Sequence, residues 1–134
     1  MLNKTRHATY DIKIHIIFVT KYRKKVFTYG MLKQIENTIK ELLMFNGCSL
    51  IEYNGESDHI HMLINLHPTI AISKLVNVLK GVSSRNIRKT YPELTTVHYG
   101  ANVGLWSRAY YVSSVEGVTL EILKKYIQKQ NHPI

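Results

Sequence analysis

Two histidines, His59 and His61, stand one residue apart in SDHIHMLIN, Ser57 to Asn65, a run that otherwise reads as a buried strand. Side chains alternate along a strand, so both imidazoles project to one side. Their Cα atoms should lie about 6.7 Å apart, which lets two rings converge on one cation with bonds of about 2.1 Å. On spacing alone such a pair is weak evidence, being more often plain surface or interface polarity. Asp58 beside it reads first as a turn residue and second as a carboxylate that orients an imidazole. In LEILKKYIQKQ, Leu120 to Gln130, Tyr126 and Gln130 fall four residues apart on one helical stripe, with Lys124, Lys125 and Lys129 nearby. A packed tyrosine and a solvated glutamine would give the same pattern.

Taken together, these residues suit phosphoryl transfer. A tyrosine hydroxyl with an ordinary pKa near 10 is a poor nucleophile at neutral pH unless its target phosphorus is made electrophilic or its proton has somewhere to go. A divalent cation held by two imidazoles and an amide oxygen would polarise a phosphodiester and stabilise the leaving 3′ oxygen, and lysines would offset phosphate charge.

Such groups need a sheet with one open face. In Tyr10 to Val19, Tyr10, Ile12, Ile14, Ile16 and Phe18 share a face, which predicts a first strand; His15 lies on its polar side and is read as a solvated residue bordering the open surface. Leu32, Ile35, Ile39, Leu42 and Leu43 recur at helical steps between Tyr29 and Phe45, ending at Asn46-Gly47. A short strand over Cys48 to Tyr53 follows, then a turn at Asn54-Gly55 in a loop reaching Asp58. His59 to Leu66 is the third strand, with Ile60, Met62, Ile64 and Leu66 packed beneath helices. A second helix runs from about Ser73 to Arg88 and breaks at Tyr91-Pro92. A fourth strand lies within Gly104 to Ser114, and Thr119 to Gln130 is a final helix. This order predicts an α+β, ferredoxin-like split βαβ sandwich: a four-stranded antiparallel sheet with helices on one face, plus a C-terminal helix carrying the tyrosine.

With 134 residues, 45% of them hydrophobic, the chain is expected to form one domain, 1–134. It lacks a signal-peptide core or a membrane-length apolar run, and a lone cysteine, Cys48, fits a reducing compartment, so a cytoplasmic location is expected. Eighteen Lys+Arg against nine Asp+Glu, net +9, create a field that draws polyanions, nucleic acid first among them. Candidate phosphate contacts are Lys21, Arg23, Lys24 and Lys25 after the first strand, and Arg85, Arg88 and Lys89 on the second helix. Trp106, Tyr110 and Tyr111 are candidates for stacking unpaired bases or for packing in the core.

The Asp58-His59-Ile60-His61 run, YIQKQ, the opening HIIFVTKYR of His15 to Arg23 and WSRAYYVSSVEG of Trp106 to Gly117 together resemble TnpA-like transposases of the HUH superfamily. The resemblance covers nearly the whole chain. It implies a ferredoxin-like fold and transposition through single-stranded DNA with subterminal hairpins. It further implies that Tyr126 attacks the scissile phosphate to give a 5′ phosphotyrosine, and that His59, His61 and Gln130 ligate Mg2+ or Mn2+. It also implies a homodimer whose histidine pair and tyrosine helix come from opposite subunits, with Gly117 a candidate hinge. The rival readings are a domesticated hairpin-binding relative, a replication-initiator-like nickase, an inactive DNA-binding module, and a zinc hydrolase that uses water as its nucleophile.

Overall fold

The structure, a computed structural model, describes residues 3–114 and 120–130. Two short strands, β1 (Asn3–Lys4) and β2 (Thr9–Tyr10), form a small hairpin ahead of the main sheet. The sheet itself contains β3 (Lys13–Val19), β4 (Ser49–Glu56), β5 (His59–Asn65) and β6 (Tyr111–Ser114), all antiparallel, in the order β4-β5-β3-β6. That is the strand order of a ferredoxin-like fold.

Helices α1 (Tyr29–Phe45) and α2 (Ile72–Thr90) cover one face. Thr28 starts α1, its hydroxyl accepting the Met31 amide at 3.3 Å. Met31, Ile35, Ile39 and Leu43 then bury a stripe at three- and four-residue spacing. From α2, Leu75, Val76, Leu79 and Ile87 meet them, over Ile14, Ile16 and Phe18 of β3 and Ile60, Met62 and Ile64 of β5. Each such side chain removed from water stabilises the fold by about 1.5–3 kcal/mol. Trp106 belongs to this core rather than to a base-stacking surface. It is 6% exposed, its ring packs against Phe18 and Phe27, and its indole N–H donates to Ser83 Oγ at 3.0 Å.

Three boundaries differ from the sequence-based expectation. Strand β4 runs on through Asn54-Gly55 to Glu56, so the connection to β5 is the two-residue hairpin Ser57-Asp58. Gly55 is there for close approach, because a Cβ at that position would sit 2.6 Å from the Leu32 side chain of α1. The first strand begins at Lys13, since Thr9 and Tyr10 pair with β1 instead. The fourth strand is only Tyr111–Ser114, and Trp106 forms an isolated bridge to Thr20. Ahead of it the chain makes a π-helical turn over Leu94–Tyr99 that no periodicity announced.

Helix α3 (Leu120–Lys129) carries Tyr126. Gly117, expected as a hinge, the expected helix start at Thr119, and the side chains of Leu120 and Leu123 lie outside the described residues.

Candidate active site

Register places the chemistry. Ile17 is the Cα partner of both His61 on β5 and Tyr111 on β6, and directly opposite residues project to the same side of a sheet. His61, Ile17 and Tyr111 therefore form one row on the face away from α1 and α2. His59 lies on that face too, opposite Val19 and Glu56.

His15, paired with Leu63, stands diagonally beside His61 on the same face. The expected solvated histidine is instead stacked: its ring is 10° from parallel to that of His61 with centroids 4.9 Å apart, and His15 Nδ1 is 2.7 Å from His61 Nε2. Which nitrogen carries the shared proton depends on the tautomer. Burial pushes both imidazoles below their ordinary pKa, and the neighbouring His15 adds to the effect on His61. Neutral imidazole is the form that ligates a metal.

Asp58 fills both roles the sequence allowed. It sits in the hairpin between β4 and β5, and its carboxylate accepts from His59 Nδ1 at 2.8 Å. The second carboxylate oxygen lies 3.8 Å from Arg23 Nε, and only 8% of Asp58 is exposed. Ligand atoms of Glu56, Asp58 and His59 fall within 4.8 Å of one another, a carboxylate and imidazole grouping that can hold a divalent cation. Because Asp58 engages Nδ1, His59 keeps Nε2 available, the arrangement common among metal-ligating histidines. Glu56 was not anticipated as part of this group, since the expected loop at 54–58 hid the hairpin that brings it opposite His59.

A cavity of about 480 Å³ opens over the pair, lined by Ile17, His59 and His61 from the sheet and Lys124, Ile127 and Gln128 from α3. Tyr126 does not line it. Its ring packs 5.4 Å from that of Tyr111, which stands two strand spacings, about 9.6 Å, from His61 along the row. Its hydroxyl is buried with no hydrogen-bond partner among the described residues, and burial pushes the phenol above its ordinary pKa. Gln130 donates weakly to the Tyr126 carbonyl at 3.4 Å and lines a second cavity, of about 340 Å³. One chain thus gathers His59, His61, Asp58 and Lys124 at one place and holds Tyr126 and Gln130 to the side.

The expected DNA contacts divide into three groups. Lys25, Arg85 and Lys89 are exposed. Lys24 Nζ donates to His98 O at 2.5 Å and lies over the Tyr99 ring, while Arg88 donates to Val103 O at 2.5 Å, so both also hold loops. Lys21 lines the second cavity, and Arg23 reaches the Gln128 carbonyl of α3 at 3.4 Å. No helix among the described residues is long and apolar enough to cross a membrane.

Comparison with known proteins identifies the family and the fold. The ISDra2 transposase TnpA of Deinococcus radiodurans is 30% identical over 130 residues, 97% of this chain and 91% of that protein. The transposase for insertion sequence element IS200 of Salmonella typhimurium is 30% identical over 124 residues, 92% of this chain and 80% of the relative. A crystal structure of a candidate transposase from Deinococcus radiodurans superposes with a TM-score of 0.88 at 27% identity, covering 98% of this chain and 99% of that one. A REP-associated tyrosine transposase bound to a REP hairpin shares the fold alone, with a TM-score of 0.51 at 9% identity over 95% of this chain and 68% of that one. The family model for IS200-like transposases matches residues 8–130, and the chain belongs to that family, the TnpA-like transposases of the HUH group.

Proposed function

We propose that this chain cleaves and rejoins single-stranded DNA at the ends of an insertion sequence through a 5′-phosphotyrosine link, recognising subterminal hairpins. The observation that carries this reading is the shared sheet face: a cavity lined by the imidazoles of His59 and His61, with the tyrosine helix as its opposite wall.

Tyr126 Oη attacks the scissile phosphorus, the bond from phosphorus to the 3′ oxygen breaks, and that oxygen takes up a proton as the phenol gives one up. Rejoining runs in reverse, a 3′ hydroxyl displacing the phenol, so one ester bond replaces another and no ATP is consumed. His59 and His61, with Gln130, would hold Mg2+ or Mn2+, and Asp58 fixes the His59 ring. When bound, such an ion supplies charge that polarises the phosphodiester and steadies the leaving oxygen. Imidazoles also suit zinc, but phosphate oxygens and water complete the shell that a hard ion prefers. Lys124 offsets phosphate charge beside the histidines. Lys21, Arg23, Lys24, Lys25, Arg85, Arg88 and Lys89 are the basic groups proposed to contact DNA.

Tyr126 and Gln130 lie off the histidine cavity within one chain. We therefore assign the working form to a homodimer in which α3 of one subunit completes the histidine site of the other. The cytoplasm is the proposed location, a reading supported by the single free cysteine, Cys48, which suits a reducing compartment. The rival function, hairpin binding without cleavage, predicts a different gel. Incubation with hairpin-bearing single-stranded DNA and Mg2+ or Mn2+ should give a denaturant-stable protein–DNA adduct that Tyr126→Phe abolishes. Binding without any adduct would leave only the binding module, and an active Tyr126→Phe would point to water as the nucleophile.

A further inference from the structure

Resting on the single-strand reaction proposed above, we infer that the second cavity is a binding pocket for one unpaired nucleotide of the DNA strand. Tyr22 lies against its base, and Lys21 and Arg108 face its phosphates, joined by Lys129 while α3 rests on its own chain. The pocket encloses about 340 Å³ between the turn at Thr20–Tyr22, the loop at Ser107–Ala109 and the end of α3. That is a small-ligand volume. Its lining carries three cations and no carboxylate, so it selects an anion.

Both walls are held in advance. Tyr22 and the following Arg23 adopt φ of +59° and +53°, a left-handed conformation that non-glycine residues seldom take and that persists only where neighbours enforce it. Here the Lys21 amide donates to Leu105 O at 2.7 Å, the Tyr99 hydroxyl donates to Lys21 O at 2.9 Å, and the Arg23 amide donates to Thr20 O at 2.9 Å. The result leaves the Tyr22 side chain 37% exposed. On the facing wall, Lys80 Nζ donates to the carbonyls of Ser107, Arg108 and Ala109 at 2.7, 3.1 and 3.4 Å, tying an irregular loop to α2. A pocket built this way loses little freedom when it is filled.

Its place relative to the chemistry supports the same assignment. Arg23, next to Tyr22, reaches Asp58 beside His59, and Lys129 and Gln130 extend from the helix that carries Tyr126. A strand engaged at the candidate active site passes this opening. A paired base is stacked within its duplex, so the pocket accepts a nucleotide only from a single strand.

The test uses the full chain carrying Tyr126→Phe, with a DNA hairpin that either ends flush or extends into a single-stranded tail bearing 5-iododeoxyuridine at successive positions. One tail position is expected to photo-crosslink to Tyr22, as mapped by peptide mass spectrometry. Tyr22→Leu should weaken binding of the tailed hairpin about 5- to 50-fold and leave the flush hairpin unchanged. Lys21→Ala with Arg108→Ala should make the dependence on salt shallower by about one to two phosphates. Crosslinks confined to the Arg85 and Lys89 face of α2, or variants that keep the ratio of tailed to flush affinity, would overturn the pocket. Crosslinking is read without cleavage. A wild-type chain that forms no adduct overturns the reaction alone, and one that forms adduct while the variants keep that ratio overturns the pocket alone.

Discussion

His15 Nδ1 lies 2.7 Å from His61 Nε2, and the two rings are stacked within 10° of parallel. A nitrogen engaged by a neighbouring imidazole is not open to a cation at the same time. His15→Phe, which keeps a stacked ring but removes the competing nitrogen, is expected to tighten Mn2+ binding several-fold by titration calorimetry. Weaker binding instead would make His15 a ligand in its own right.

Asp58 bonds His59 through one carboxylate oxygen and approaches Arg23 with the other. Asp58→Asn should raise the Mn2+ dissociation constant about 10- to 100-fold, the usual effect of removing the group that orients a ligating histidine. Stability should fall by about 1 kcal/mol, seen as a melting midpoint a few degrees lower. An unchanged dissociation constant would reduce Asp58 to a turn residue.

Tyr126→Phe removes a hydroxyl that is buried without a partner among the described residues. Deleting an unsatisfied polar atom does not weaken a fold, so urea unfolding should show equal stability or a gain of up to about 1 kcal/mol, together with complete loss of the covalent adduct. A substantial drop in stability would reveal a partner for the phenol.

Burial pushes the Tyr99 phenol from 10.0 up to about 12, partly offset by Thr20 and Arg88. A raised pKa in the folded state means the group's contribution is whole below pH 10 and is lost as pH climbs from 10 to 12. After allowance for screening this amounts to about 1 kcal/mol. Tyr99→Phe should be slightly less stable at pH 8, lacking the bond to Lys21 O, and should fall less steeply across that window in pH-dependent urea melts. Parallel curves for the two proteins would contradict the assignment.

Helix α1, the alternation of β5 and the order of the main strands were legible because each is written as a local period of apolar residues. The histidine pair was legible for the same reason. Register was not. That His15 falls beside His61, and that Tyr111 shares a row with it through Ile17, follows from how β3 meets two different strands. Asn54-Gly55 carries the local mark of a turn, yet the need for α1 to approach closely at Leu32 kept that glycine inside a strand. The segment before β6 offered aromatic residues with strand-like spacing, but Lys80 and the Trp106–Ser83 bond hold it in an irregular path. Tertiary partners of this kind leave no periodic trace.

Ile17 is 0% exposed although it lies on the sheet face away from α1 and α2, in the cavity that Ile127 of α3 also lines. A departing α3 would wet it, a penalty of about 1.5–3 kcal/mol before any other contact is counted. In the proposed dimer, exchange of α3 would then have to resemble a handover, in which the incoming neighbour dries the greasy spot as the outgoing one uncovers it. A lone protomer would keep its own lid shut.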